Sequence, residues 1–174
     1  MSIKLKRLLL ISFALILLES RQTIAYDSTT NRVTLKGLQG IGVIVRLNDP
    51  GKRYDLTENA IQTDIELKLR TAGIKVFDTS PLKVAGEAGL VAYIDMYDRH
   101  GESDVLAFSI NLSVEQPVVL LRDSSINVIA ETWALGLVGT VGKDKAQEVR
   151  VNVKDLTDQF INAYLTANPK VDRL

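Results

Sequence analysis

His100 is the only histidine in the chain, and it lies among Asp95, Asp98, Glu102 and Asp104. Acidic oxygens around one imidazole are the ligand types of a divalent-cation site. The spacing matches no calcium loop, and hydrolytic zinc sites draw on two or three histidines. A polar, solvated turn has the same composition, so no metal ligands are assigned. A Ser-His-Asp triad would have to use His100 as its base, yet neither Ser103 nor Ser109 sits in a Gly-x-Ser-x-Gly elbow. Asp95 and Glu131 both fall within extended segments and are the pair a cofactor-free hydrolase would draw on, although strand acids that face solvent are the commoner case. The run from Gly136 through Gly139 and Gly142 to Lys143 and Asp144 has the flavour of a phosphate loop. It has one residue too many between Gly136 and Gly142, and Asp144 replaces the hydroxyl and would repel phosphate. It reads as a flexible strand-to-helix connection. No catalytic residues and no cofactor are therefore assigned. Trp133, the only tryptophan, reads as a core anchor of its strand; if it faces outward it is assigned to partner binding, together with Gly136, Gly139 and Gly142.

The elements that would position these residues are legible from periodicity. Ile41, Val43, Val45 and Leu47 alternate along one strand, and Asp49-Pro50-Gly51 ends it as a turn. The pattern turns extended from Val33 onward. A helix follows, with Asp55 as cap and Glu58 completing a capping box. Ile61, Ile65, Leu69 and Ala72 share one face, and Gly73 with Ile74 closes the helix. Ile74–Phe77 is a short strand, and residues 78–87 form a loop. Leu90, Ala92, Ile94 and Met96 alternate on one strand. Leu106, Phe108, Ile110, Leu112 and Val114 alternate on the next, with a polar tip at 98–104 joining them as a hairpin. Val118–Leu121 extends the second strand past a bend at Pro117, and Ile126–Leu137 is another strand. A helix from near Asp144 to Ala167 carries Val149, Val153, Leu156, Phe160, Ala163 and Ala167 as an apolar stripe, and Asn168-Pro169 stops it. The predicted architecture is α+β: a two-layer sandwich in which two amphipathic helices cover a mainly antiparallel sheet. A β-sandwich with peripheral helices is the alternative.

The first 25 residues are read as export signal. Lys4, Lys6 and Arg7 precede the apolar run Leu8–Leu18, and Thr23-Ile24-Ala25 offers a small-x-small cleavage site. The run is short for a membrane-spanning helix, so a retained membrane anchor is the weaker reading. Residues 26–32 are read as a flexible leader and 33–174 as one domain. The 174 residues carry 21 basic and 21 acidic side chains and no cysteine. Removing residues 1–25 leaves 17 basic against 20 acidic, which argues against polyanionic partners such as nucleic acid. The absence of cysteine removes disulfides, thiol chemistry and lipid attachment at a lipobox cysteine.

The chain resembles small exported bacterial α+β proteins of unassigned function. The resemblance rests on Leu56-Thr57, on the run Leu69-Arg70-Thr71-Ala72-Gly73-Ile74, on Thr132-Trp133 and on the ending from Phe160 to Pro169. The layout is also similar to envelope accessory domains, many of which are lipoproteins; this chain departs from those in lacking the anchoring cysteine. The resemblance carries over no functional residues. The expected function is a non-enzymatic accessory or binding domain, periplasmic or secreted, with no stable membrane anchor after signal cleavage. Its expected partner is an envelope or extracellular protein, engaged through a strand edge or the glycine-rich segment. A carboxylate-pair hydrolase and a small-ligand carrier are the alternatives.

Overall fold

A computed structural model describes residues 23–25 (backbone only), 27–77, 86–99 and 103–169. The apolar run 8–18, His100 and Glu102 lie outside the described residues. The elements, in chain order, are β1 (Thr23–Ala25), α1 (Thr29–Arg32), a 3-10 turn (Val33–Leu35), β2 (Gly40–Leu47), α2 (Asp49–Lys52), α3 (Glu58–Thr71) and β3 (Val76–Phe77). They continue with β4 (Glu87–Asp98), β5 (Val105–Leu120), β6 (Asp123–Gly142), a 3-10 turn (Lys143–Lys145) and α4 (Glu148–Ala167).

The strands form one six-stranded sheet in the order β1-β6-β5-β4-β2-β3. The pairs from β1 to β4 are antiparallel, and β2 runs parallel to both β4 and β3. The fold is therefore α+β, an open mixed sheet with α3 and α4 on one face. Period-two alternation decides which side chains meet the helices. Leu90, Ala92, Ile94 and Met96 of β4, Leu106, Phe108, Ile110, Leu112 and Val114 of β5, and Trp133, Leu135 and Leu137 of β6 are all buried there. Ile61, Ile65 and Leu69 of α3 join Val149, Val153, Leu156, Phe160 and Ala163 of α4 above them. Each fully buried Leu, Ile or Phe stabilises the fold by about 1.5–3 kcal/mol relative to exposure, so this shared layer holds the two helices in place.

The closure of α3 follows its sequence. Gly73 takes φ +78°, its N–H donates to the Arg70 carbonyl, and the Ile74 N–H donates to the Leu69 carbonyl at 2.9 Å. Both bonds belong to a Schellman motif, and Ile74 is buried as its apolar contact. The start of α3 differs from expectation. Thr57 is the cap, accepting from the Ala60 N–H at 3.2 Å. Asp55 lies in the left-handed region instead, at φ +59°. Glu58 does not close a capping box; it accepts from the Leu47 N–H at 3.1 Å and ties the helix start to the end of β2.

Four further boundaries are corrected. Asp49-Pro50-Gly51 opens the helical turn α2, because Asn48 caps the Gly51 N–H and Pro50 suits a helix start. Val33–Leu35 is a 3-10 turn that buries Leu35, where an extended segment was expected. Residues 27–32, expected as a flexible leader, contain α1, capped by Ser28 and pinned by an Asp27–Arg32 ion pair. β6 is longer than expected at both ends and takes in the glycine-rich run.

Candidate functional site

Trp133 lies at the middle of β6 with its side chain on the helix side. It has no exposed area. Its ring meets Phe160 of α4 edge to face, with centroids 5.3 Å apart. A buried indole N–H needs an acceptor, and Asp27 supplies one at 2.9 Å. The Arg32 guanidinium grips the same carboxylate with two bonds of 2.5 and 2.6 Å. Those bonds, followed by the one from Trp133, hold the Asp27 carboxyl below the usual carboxylate range against the opposing effect of burial. A side chain with no exposure cannot be an outward contact, so the assignment of Trp133 to partner binding is corrected: it is a core anchor.

Gly136, Gly139 and Gly142 lie within or at the end of β6, not in a loop. Gly139 pairs with Phe108 across the β5–β6 ladder, and a Cβ there would sit 2.9 Å from the Phe108 ring. The glycine leaves room for that ring. Gly142 adjoins Asp144. Gly136 is held between Asn111 of β5 and Ile24 of β1. The strand continues through this run because each of these residues has a ladder partner on β5, which sequence periodicity could not register without side chains. The Lys143 ammonium, which a phosphate loop would have kept free, pairs with Asp98 at 3.0 Å. Tyr54 also donates to Asp98, at 2.7 Å. That bond raises the phenol's pKa, and Asp98 likewise raises that of Lys143. Sequence reasoning missed this Tyr54–Asp98–Lys143 cluster, since its members come from three distant segments.

The sheet face away from α3 and α4 carries a shallow trough of about 320 Å³, lined among others by Tyr93, Asp95, Asn111, Glu131 and Val138. Both members of the expected acid pair line it, but the register separates them. Asp95 is level with Ser109 and Glu131 with Glu115, six residues further along β5. At about 3.3 Å per residue that is roughly 20 Å, whereas glycosidase pairs need about 5–9.5 Å between carboxyls. The acid opposite Glu131 is Glu115, and each is already engaged. Tyr93 donates to Glu115 at 3.4 Å and Asn111 to Glu131 at 3.3 Å. The ladder places Val91, Ser113 and Ala134 between these bridges, and all three are buried. Among the described residues no three His, Cys, Asp or Glu side chains converge as a metal site. None of the helices among them is long and apolar enough to cross a membrane.

β4 pairs with β5 only as far as Glu115. Beyond it, Gln116–Leu120 and the first half of β6 pair with each other alone. This two-stranded arm carries Val118 and Val128 as a cross-strand pair, and Pro117 opposite Ile129. Successive residues of a strand face opposite ways, so both faces of the arm are apolar. No residue from 116 to 130 is buried, and Val119, Leu121, Val128 and Ile129 are well exposed.

No protein-family model matches the chain, and no curated protein matches it. Among solved structures it is similar to a minor lipoprotein from Acinetobacter baumannii, at 10% identity and a TM-score of 0.39, covering 75% of this chain and 93% of that one. A likeness this distant carries no inference about activity.

Proposed function

We propose that this chain is an exported accessory domain of the bacterial envelope that binds another envelope protein and transforms no substrate. The β5–β6 arm carries the reading. An isolated two-stranded ribbon is marginal in water, and a cluster of exposed apolar side chains marks a contact surface. The arm combines the two, with Val119 53% and Ile129 44% exposed and Leu121 standing free at its turn. Its charges, Arg122 and Asp123, are confined to that turn. The export reading rests on the leader residues Lys4 to Ala25.

The alternatives have less behind them. The carboxylates a hydrolase would pair are about 20 Å apart along the sheet, and each closer acid is bridged to Tyr93 or Asn111. The layer a ligand carrier would leave hollow is filled by Trp133, Phe160, Met96 and Ile65.

The test places a photocrosslinking residue at Leu121 in cells that export the protein. The expected result is a discrete adduct with an envelope protein other than the chain itself. Val128→Asp with Ile129→Asp abolishes it while the melting temperature stays within a few degrees. Adduct formation indifferent to those changes, or none at all, removes the arm as the contact and the reading with it.

A further inference from the structure

The two rims of the sheet are built differently. At one rim β3 is two residues long, and the Lys75 ammonium lies 4.9 Å over the Phe77 ring beside it. Short strands and lysines are the ordinary means of blunting an edge. At the other rim β6 runs for 20 residues. From Thr132 to Gly142 it has no charged residue and no proline. Among the described residues, Thr23–Ala25 pair with its outer side at Leu135–Leu137, and the Thr34 hydroxyl donates to the Thr132 carbonyl at 3.4 Å. No described strand pairs with that side from Val138 to Gly142.

We propose that this rim of β6 is a self-association edge, closed in cis by Thr23–Ala25 in the precursor and opened when those residues leave with the leader. The inference rests on the export reading above but not on the arm. Three observations select a second copy as the occupant. The segment seated there now runs antiparallel, with Ile24 opposite Gly136, so the edge accepts the strand direction that a two-fold-related β6 presents. Isologous pairing sets each residue of the run against the same run, and an uncharged run meets no like charge. Finally, the N-terminal segment left after processing is too short to replace β1. Only Tyr26 would precede Asp27, which Arg32 and Trp133 hold in place. Removal of the leader would leave the ladder positions of Leu135–Leu137 without their partner. Pairing about Gly136 would continue the sheet across both protomers, with α3 and α4 of each on its own helix side.

The experiment purifies the exported protein, reads its N-terminus by mass spectrometry and measures its mass in solution by sedimentation. The expected N-terminus is Tyr26 and the expected species a dimer, with slow amide exchange over residues 134–142. Val138→Lys with Thr140→Lys places charges at exposed rim positions. These should give a monomer with fast exchange there and an unchanged melting temperature. A processed protein that stays monomeric at high concentration overturns the proposal, as does a dimer that survives the lysines. If the N-terminus retains Thr23–Ala25, the export reading fails separately. The edge proposal then requires a monomer that Ile24→Pro, which breaks the β1 ladder, converts to a dimer; a monomer in both forms overturns it.

Discussion

Trp133, Asp27 and Arg32 form a chain of contacts that joins the N-terminal turn to the core, and each link has its own measurable consequence. Trp133→Phe keeps most of the packing against Phe160 and loses the 2.9 Å bond to Asp27. The cost is about 1–3 kcal/mol, because the bond is to a charged group, and is read from urea unfolding. Gly139→Ala pushes a methyl to 2.9 Å from the Phe108 ring and costs about 1–3 kcal/mol by overpacking. The same change at a solvent-facing glycine of ordinary backbone would stabilise. Ser113 points the other way: its hydroxyl is buried without a partner on the face away from the helices. Ser113→Ala removes that unsatisfied group and raises stability by about 1 kcal/mol. Trp133 as core anchor was legible in the sequence, because a lone tryptophan in an alternating strand belongs inside. Its acceptor was not, because Asp27 is 106 residues away in the chain.

At the scale of elements, α3 and α4 behave as their stripes dictate, and the long β5–β6 hairpin does not. Its sheet portion has β4 on one side, whereas its arm is supported by a single ladder. Amides of residues 118–129 should therefore exchange orders of magnitude faster than those of 106–114, which lie in the middle of the sheet. Equal protection in both halves would show that the arm is covered. The apolar composition of Val118–Leu121 and Ile126–Ala130 looks like buried strand in the sequence. Only the end of β4 at Glu87, level with the β5 residues near Glu115, leaves those side chains outside. The start of α3 shows a related limit. Both Asp55 and Thr57 are capping residues by type, and a backbone φ of +59° at Asp55 decides between them.

Across the whole molecule, paired acids fasten α3 to α4, and Asp27 fastens the N-terminal turn to β6. Arg150 bridges to Asp64 at 2.5 and 2.9 Å and holds that carboxyl, like Asp27, below the ordinary value of 3.8. A carboxyl with a depressed pKa in the folded state stabilises above its unfolded value, and that stability is lost as the pH falls through the folded one. The melting temperature should therefore decline as the pH drops from about 5 to below 4, and the Asp27→Asn, Asp64→Asn double variant should decline less steeply. A decline of the same slope in both would assign acid sensitivity to other groups. The sequence by itself determined the α+β class, the helix stripes, the core faces of β4 and β5, and the Gly73 closure of α3. These follow from local periodicity and from backbone conformations that one or two residues impose. Tertiary structure alone decided the strand order, the β6 rim with β1 upon it, the exposure of the arm and the separation of Asp95 from Glu131. Each of those depends on which segments lie side by side, and alternation along one strand records a residue's face but not its neighbour.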